Sequence, residues 1–548
     1  MGSFVYLFII VLYFSITAFL GYLGYKGTRN ATDYLVGGRT IHPFVMAISY
    51  GATFISTSAI VGFGGAAGVY GMGLLWLTVL NIFAGIFIAF IFFGKRTRKM
   101  GANLEAHTFP ELLAKRYKSR FIQGFSGLII FLAMPLYSGV VLIGAASFIE
   151  TSMKIPYDVS LLFFAAIVAI YVMMGGIKGV MYTDTFQGSV MFIGMVSLLV
   201  MTYHGLGGVT AAHAKLTSYG AKAIEVFGAT GHQGWTNMPV FGSDMWWSLV
   251  STIVMGVGIG VLAQPQLIVR FMTVKSNREL NRAVLVGGLF ILMMTGVAFV
   301  VGALSNVYFL ESPAFGKIAL LASGKNTDSI IPLYINSFMP KWFGLVFMLT
   351  LLSAAMSTLS SQFLTMGTSL SRDFYELTVK DTGDRSLLIN RIGVLIAILI
   401  STYLAYYLPL IGGIALIAKG TALFFGLCAA MFLPVYIFAL YFPGLSKKAA
   451  IVSILTGFIS SLFWLLFIFK DVSGKILLCR ALFNVDSLLD GTVWAKIDPI
   501  LIALPISMII TIIGYNLWKC DLEDAHLEKC FKGINAKLKP GKGISTSA

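Results

Sequence analysis

Long apolar segments recur along almost the whole chain, and they constrain its fold more than any other feature. Many reach the roughly 20 residues that an α-helix needs to cross a bilayer. Only 11% of the 548 residues are charged, whereas a soluble domain carries about 25%. The segments are too long for barrel strands and lack alternation with period two, so helices remain to satisfy the backbone in lipid. The sequence therefore predicts an all-α polytopic membrane protein.

Hydropathy divides the chain into about 13 transmembrane helices, which we number spans 1 to 13 in chain order. They are predicted at residues 3–24, 44–69, 73–94, 121–150, 158–175, 185–206, 245–271, 283–310, 336–371, 388–409, 413–441, 449–470 and 499–518. The first segment lacks the basic region and cleavage site of a signal peptide, so we interpret it as a retained helix.

Lysine and arginine are distributed unevenly between the two ends of the spans. Most of the 39 basic residues lie in loops that follow odd-numbered spans, or in the tail after span 13. Basic loops stay in the cytoplasm, so the N-terminus is predicted outside the cell and the C-terminus inside, with the chain in the plasma membrane. The net charge of +16 belongs to these loops and does not indicate nucleic acid as a partner.

Spans 2 and 7 contain residues that interrupt a helix. Span 2 has the sequence GATFISTS at residues 51–58 and GFGG at 62–65, and span 7 has GVGIG at 256–260 and QPQ at 264–266. In a helix interior glycine costs about 1 kcal/mol and proline about 3. A break frees backbone groups that an ion or a solute can bind. Close helix packing through small residues is the alternative explanation.

The positions of the two broken spans favour a binding role. With span 1 set aside, spans 2 to 6 and spans 7 to 11 form two five-helix units, and each begins with a broken helix. Units with an odd number of helices take opposite orientations, which predicts a five-plus-five inverted repeat. The predicted segments are an extra helix and first loop at 1–43, the first repeat at 44–206, an outer loop at 207–244, the second repeat at 245–441, two peripheral helices at 442–518 and a tail at 519–548.

Span 9 carries a stripe of hydroxyl groups. Ser353, Ser357, Ser361 and Thr365 recur every four residues and therefore lie on one face of the helix. Sodium prefers oxygen ligands, and neutral hydroxyls hold a monovalent ion less strongly than carboxylates, so the ion can leave again. Hydroxyls in membrane helices also bond to the preceding turn or to a neighbouring helix, which is the alternative explanation here.

Four separated motifs resemble those of the solute:sodium symporter family, and they occur in the order expected for that family. They are YLVGGR at residues 34–39, GGIKGVMYTDTFQ at 175–187, QPQLIVRF at 264–271 and AAMST at 354–358, the last followed by DFY. The resemblance implies a LeuT-like fold, with sodium as the co-transported ion.

The same resemblance implies a sodium site between spans 2 and 9. Its ligands would be the carbonyl groups of Ala52, Ile55 and Ala354 and the hydroxyl groups of Ser357 and Thr358. The implied site agrees with the residues themselves, because it joins the hydroxyl stripe to carbonyls freed by the break in span 2.

Two departures from the family bear on the substrate. Phe54 stands where the proline-transporting branch has an aspartate, and Val257 and Val261 stand where that branch has aromatic contacts. Residues 52–67 and 70–73 resemble the pantothenate and monocarboxylate branches instead. The implied substrate is a small carboxylate, with a proline, other amino-acid or sugar symporter as the alternative.

A substrate cavity is predicted between spans 2, 4, 7 and 11. The residues expected there are Thr53, Ser56, Tyr137, Gly260, Gln264 and Lys419. Lys419 lies within span 11, where it either attracts a substrate carboxylate near the outer gate or extends to the outer interface. Asp184 is placed at the cytoplasmic start of span 6, where it either assists sodium release or caps that helix.

The sequence thus predicts a sodium-coupled symporter that works by alternating access, with sodium, a small solute and the lipid bilayer as its partners. No cluster of histidine, aspartate and glutamate lies within the spans, so an enzyme is not expected, and no obligate protein partner is evident. A sodium-conducting channel or a transporter-derived sensor would have the same spans. A channel would conduct sodium without substrate, and a sensor would bind without net transport.

Overall fold

The computed structural model describes residues 3–28, 31–378, 385–411 and 415–534, and no β-strand occurs among them. Within these ranges eleven helices are long and apolar enough to cross a membrane, and Pro43–Phe54 and Tyr157–Ala169 are shorter apolar helices. The prediction of an all-helical polytopic membrane protein is confirmed. Residues 413 and 414, at the start of predicted span 11, and residues 535–548 of the predicted tail lie outside the described residues.

The helix bounds follow the predicted spans closely. The continuous spans are Ser3–Lys26 for span 1, Arg120–Met153 for span 4, Asn277–Glu311 for span 8, Lys341–Thr368 for span 9, Arg385–Ile411 for span 10, Leu416–Tyr441 for span 11, Lys447–Phe463 for span 12 and Ile500–Leu517 for span 13. Span 3 runs from Leu75–Leu80 into Asn81–Gly94 without a break. The interrupted spans are Pro43–Phe54, Ser58–Gly62 and Phe63–Tyr70 for span 2, and Asp244–Trp247, Ser248–Met255, Gly256–Gly260, Val261–Ala263 and Pro265–Phe271 for span 7.

Span 2 is broken where glycine and hydroxyl residues predict it. Its first helix ends at Phe54, and Ile55 is extended, with φ −90° and ψ 102°. The Ser56 side chain then accepts a hydrogen bond from the Ser58 amide at 3.1 Å, which starts the second half of the span. A side-chain cap of this kind satisfies an amide that has no partner inside the helix.

Span 7 is broken for a different reason. Gln264 is extended, with φ −76° and ψ 117°, and Pro265 begins the next helix. The proline ring disfavours the helical conformation in the residue before it, while its fixed φ suits the first position of a helix. The backbone geometry of Pro265 therefore explains this break, and the flexibility of the glycines in span 7 is not needed to explain it.

Spans 5 and 6 lie within the segment Tyr157–Gly205 and are separated only by Gly176, whose backbone is not helical, with φ 56° and ψ −179°. Gly176 has φ 56°, and a Cβ atom there would lie 2.7 Å from the Tyr34 ring. The predicted loop between residues 175 and 185 is therefore helical apart from one glycine. The motif GGIKG looks like a loop in the sequence, but only its second glycine departs from the helix.

The basic loops meet at one end of the helix bundle, which we call the basic face. Arg39 donates hydrogen bonds to the carbonyls of Gly101 and Ala106 at 3.2 and 2.8 Å. Arg116 is fully buried and donates to the Pro443 carbonyl at 3.0 Å, just after span 11. The loops after spans 1, 3 and 11 therefore form one connected layer. The other end of the bundle is called the opposite face.

Gly71 joins spans 2 and 3 in a conformation that glycine adopts far more readily than other residues, with φ 70° and ψ −154°. A Cβ atom at this position would lie 2.2 Å from the Trp235 carbonyl oxygen. The Met72 amide donates to that same oxygen at 2.7 Å, and the Trp235 indole donates to the Gly68 carbonyl at 3.0 Å. The loop before span 7 is thus attached to the end of span 2 through Gly71.

Gly71→Ala should lower the free energy of unfolding by about 2 kcal/mol or more, because it combines backbone strain with a steric clash. Thermal unfolding of the purified protein in detergent measures the change. Gly344→Ala is the matched control, since a Cβ atom there would meet nothing within 4 Å. Equal unfolding midpoints for the two variants would contradict the steric argument.

Candidate functional site

The break in span 2 faces the hydroxyl stripe of span 9. The Ser357 hydroxyl donates to the Ala52 carbonyl at 2.8 Å, and the Thr358 hydroxyl donates to the Thr53 carbonyl at 3.0 Å. All four residues are fully buried. Because the first helix of span 2 ends at Phe54, these carbonyls belong to its last turn and lack the usual partners within the helix.

This arrangement concentrates uncharged oxygen atoms in a small buried volume. Of the five predicted sodium ligands, Ala52, Ser357 and Thr358 are in direct contact. The Ala354 carbonyl lies 3.3 Å from the Ser357 hydroxyl, while Ile55 lies at the break and lines the neighbouring cavity. Carbonyl and hydroxyl oxygens are the ligand types that hard cations prefer. Their role as sodium ligands stays a prediction.

A buried ion pair lies next to this contact. Arg270 of span 7 is 2.9 Å from the Asp184 carboxylate, and both side chains are excluded from solvent. The same guanidinium donates to Ser361 of span 9 at 2.6 Å and to Ser49 of span 2 at 3.0 Å. Spans 2, 6, 7 and 9 therefore share one polar cluster. The Thr53 hydroxyl also belongs to it, since Arg270 donates to that oxygen at 2.5 Å.

Asp184 does not cap a helix, which corrects one of the two predicted roles. Span 6 begins directly after Gly176 and continues through Asp184 to Gly205. The sequence places Asp184 at a helix start only because the GGIKG motif is interpreted as a loop. The remaining predicted role, in sodium release, is compatible with its position beside the contact between spans 2 and 9.

A narrow cleft connects the ion pair to the basic face. Arg270 and Ser361 line its inner part, and Thr365, Thr368 and His107 line the part nearer the basic loops. The hydroxyl stripe of span 9 thus continues from the predicted sodium site toward the basic face. The sequence predicts the stripe from its four-residue spacing, but it does not show that the stripe borders a cleft.

Contacts between the basic loop after span 3 and the end of span 9 surround the mouth of this cleft. Arg372 pairs with Glu111 at 3.0 Å, and the Thr108 hydroxyl donates to Asp373 at 2.6 Å. Burial opposes ionisation of Glu111, but contacts with His107 and Arg372 outweigh it and lower the pKa of this carboxyl well below its usual range. Glu111 is therefore a buried, ionised carboxylate that links the two segments, and it is not a solvated surface residue.

A small central cavity of about 20 Å³ lies on the other side of the span 2 break. Its lining is mainly apolar and aromatic, with a few neutral polar groups: Phe54, Ile55, Ser56, Ala59, Phe63, Leu77, Asn81, Tyr137, Val257, Thr295, Phe299, Thr421 and Phe425. No charged side chain is among these described lining residues. An apolar lining with a few polar groups is typical of sites for small solutes, and this cavity must widen to admit one, because its present volume holds about one water molecule.

Two of the six predicted substrate residues, Ser56 and Tyr137, line the central cavity. Gly260 packs against Phe425 so closely that a Cβ atom there would lie 2.6 Å from the neighbouring side chain. Gln264 donates to the Gly260 carbonyl at 3.1 Å across the break in span 7. These two residues therefore shape the wall next to the cavity, and the structure does not place them in its lining.

Asn81 is a cavity residue that the sequence interpretation missed. Its side-chain oxygen is buried and has no hydrogen-bond partner, and the residue lines the central cavity. A buried amide without a partner is costly unless a ligand satisfies it. Its signal in the sequence is its position as a polar residue inside an otherwise apolar span, where polar groups are commonly functional.

Lys419 lies outside the central cavity. Its amine is 2.5 Å from the Asp471 carboxylate, and it lines a second cavity near the opposite face with Tyr70, Asp244 and Lys496. Asp471 belongs to the loop between spans 12 and 13, so the pair ties that loop to span 11. In this arrangement Lys419 lies in this second cavity and is already paired with a carboxylate of the protein.

On the opposite-face side, the loop between spans 8 and 9 covers the ends of spans 2 and 11. The Ala415 amide donates to the Thr327 hydroxyl at 2.8 Å. The Ile417 amide donates to the carboxylate of Asp328, yet burial is the larger influence and raises the pKa of this carboxyl to about 7. Together with the Arg270 cluster, these contacts place buried polar barriers on both sides of the central cavity.

Comparison with solved structures shows which fold this chain shares. The structure is similar to a solved Na⁺-coupled sialic acid symporter in a substrate-bound outward-open state, with a TM-score of 0.73 at 19% sequence identity. The similarity covers 95% of this chain and 99% of that chain. The similarity shows that the two chains share one fold, and the predicted fold class is thereby confirmed.

The family follows from comparison with known sequences. The model of the sodium:solute symporter family matches residues 34–457, and the chain belongs to this family. It is 29% identical to sodium/proline symporter 2 of Staphylococcus saprophyticus subsp. saprophyticus over 477 residues, which are 84% of this chain and 86% of that protein. It is 30% identical to the sodium/pantothenate symporter of Haemophilus influenzae over 344 residues, 63% of this chain and 66% of that protein.

These matches confirm the family predicted from the four motifs. They also make the chain a transporter and not an enzyme, with sodium as the ion that the family co-transports. Both the proline and the pantothenate branches are represented among the relatives, so the matches leave the solute open.

Asp184→Asn should lower the free energy of unfolding by about 3 to 5 kcal/mol, because it leaves the Arg270 guanidinium buried without a counter-charge. Thermal unfolding of the purified protein measures the loss, and Asp184→Asn/Arg270→Gln should recover part of it. The control is Lys215→Gln, which removes a solvent-accessible pair with Glu311 and should have a much smaller effect. An unchanged midpoint for Asp184→Asn would exclude a structural role for the pair.

Proposed function

We propose that this protein is a sodium-coupled secondary active symporter that imports a small carboxylate, such as pantothenate or a short monocarboxylate, by alternating access. The observation that carries the proposal is the contact between Ser357 of span 9 and the Ala52 carbonyl at the break in span 2. The proposal places the chain in the plasma membrane with its basic face in the cytoplasm, since basic loops stay on that side. The N-terminus is then outside the cell and the C-terminus inside.

Coupling follows from the short distance along the chain between the two ligand sites. The carbonyls of Ala52 and Thr53 face span 9, and Ser56, three residues after Thr53, lines the central cavity. A sodium ion held by the carbonyls and by the hydroxyls of Ser357 and Thr358 would fix the conformation of the break, and with it one wall of the cavity. Sodium then raises the affinity for the solute, and the solute must raise the affinity for sodium by the same factor.

The cavity lining supports a solute without a free ammonium group. Phe54 and Phe425 lie with their ring centroids 6.2 Å apart, and they provide an apolar surface with no counter-charge for an amine. The second half of span 2 begins at Ser58, and the partial positive charge of a helix N-terminus attracts a carboxylate. A proline symporter is the second candidate, because sodium/proline symporters are among the relatives.

Transport requires the barriers on the two sides of the cavity to open in turn. Toward the cytoplasm the barrier is the cluster of Arg270 with Asp184 and Ser361. A sodium ion leaving the proposed site in that direction meets the Asp184 carboxylate, for which it competes with Arg270. The inward movement of each sodium ion supplies roughly 2.3 kcal/mol per 100 mV of membrane potential, which drives accumulation of the solute.

Uptake into liposomes tests this function. Radiolabelled pantothenate, lactate, acetate, pyruvate and proline are each supplied with and without an inward sodium gradient. We expect sodium-dependent uptake of a carboxylate by the wild type and its loss in Ser357→Ala/Thr358→Ala. Thr350→Ala is the matched control, because its hydroxyl lies in the same span but donates to its own helix at Val346.

Uptake of proline alone would identify the protein as a proline symporter, the second candidate, and would not contradict the proposed sodium site. Uptake that is indifferent to sodium and to the two hydroxyls would overturn the coupling site. Sodium flux without uptake of any solute would indicate a channel, and sodium or solute binding without flux would indicate a sensor.

A further inference from the structure

Span 1 lies outside the two predicted repeats, yet one of its side chains reaches the core of the protein. Tyr13 is only 3% exposed, and its hydroxyl is 3.0 Å from the hydroxyl of Ser353 in span 9. The neighbouring tyrosines Tyr22 and Tyr25 of the same span are each 57% exposed. Span 1 therefore presents one tyrosine to span 9 and leaves others on its outer surface.

The position of span 1 is fixed by close contact with span 6. A Cβ atom on Gly24 would lie 2.2 Å from the Cα atom of Gly179, so the two backbones touch. Small residues permit this approach between membrane helices. The Tyr13 hydroxyl is consequently held at a defined depth beside span 9.

Ser353 is one helical turn before Ser357. The Ser357 hydroxyl donates to the Ser353 carbonyl at 2.8 Å and to the Ala52 carbonyl at 2.8 Å. If the Ala52 carbonyl and the Ser357 hydroxyl both turn their lone pairs to a sodium ion, the Ser357 proton cannot remain between them. It must then be donated to the Ser353 carbonyl alone, so the conformation of this turn matters for binding the ion.

We propose that Tyr13 is a positioning residue for the sodium site, which it supports through Ser353 without touching the ion. The inference rests on the proposed sodium site between spans 2 and 9. Tyr13 gives the Ser353 hydroxyl a partner outside its own helix. Without it, a serine in a membrane helix bonds back to the preceding turn, which bends the helix locally. The bend would displace the Ser353 carbonyl that receives the Ser357 proton.

Binding of ²²Na⁺ to the purified protein in lipid nanodiscs tests this role without knowledge of the solute, with choline replacing sodium to keep the ionic strength constant. Tyr13→Phe should raise the dissociation constant for sodium about 3- to 10-fold, the usual effect of losing one hydrogen bond. Ser353→Ala should raise it similarly, and the double variant should be no worse than either single variant, because both remove the same contact. Tyr22→Phe is the matched control and should bind sodium as the wild type does.

Each outcome separates this inference from the function on which it rests. Wild-type sodium affinity in Tyr13→Phe, or equal weakening in Tyr22→Phe, would overturn the role of Tyr13. Additive effects of Tyr13→Phe and Ser353→Ala would show that the two hydroxyls act separately and would also overturn it. Ser357→Ala/Thr358→Ala serves as the reference: loss of sodium binding there with normal binding in Tyr13→Phe refutes only this inference. Normal sodium binding in the reference variant would refute the proposed site itself.

Discussion

A backbone carbonyl in the middle of a membrane protein needs a partner, and the rest of this structure depends on how that need is met at Ala52 and Thr53. Span 2 stops at Phe54 and leaves both carbonyls without donors from their own helix. The hydroxyls of Ser357 and Thr358 occupy the vacant positions at 2.8 and 3.0 Å. Each hydrogen bond contributes only about 1 kcal/mol net, but an unpaired group in an apolar interior costs more. The break is therefore stable only while span 9, or an ion bound between the spans, is present.

The same requirement explains the arrangement of charge. Arg270 and Asp184 are both buried beside the break, where they neutralise each other and where Ser49, Thr53 and Ser361 accept further hydrogen bonds from the guanidinium. The Asp184 Oδ1 atom has no hydrogen-bond partner among the described residues. On the opposite-face side, the described partner of the Asp328 carboxylate is a backbone amide, and burial raises the pKa of this carboxyl to about 7. The two barriers are thus unlike each other. One is a buried ion pair whose charges neutralise each other, and the other is a carboxyl that burial keeps largely protonated below about pH 7.

The sequence predicts most of the fold, because apolar length and interrupted helices are local properties that it states directly. The break in span 7 follows from Pro265, and the hydroxyl stripe of span 9 follows from spacing alone. Gly176 shows the limit of this reasoning, since a glycine pair predicts a loop of several residues, whereas one non-helical glycine separates spans 5 and 6. Asn81 and Arg270 belong to the site through contacts between distant segments, which no local pattern contains. Lys419 is the converse case: its position in an apolar span predicts a cavity residue, but Asp471, more than 50 residues away in the loop between spans 12 and 13, determines where its amine lies.

The central claim is that sodium binds between the break in span 2 and the hydroxyls of span 9. Hydrogen–deuterium exchange of the backbone amides around residues 52–60 tests it directly, with the protein in sodium or in choline at equal ionic strength. Sodium should slow exchange in this segment, because an ion held by the Ala52 and Thr53 carbonyls restricts opening of the break. The slowing should be absent in Ser357→Ala/Thr358→Ala. Identical exchange in sodium and choline for the wild type would contradict the claim and require another place for the ion.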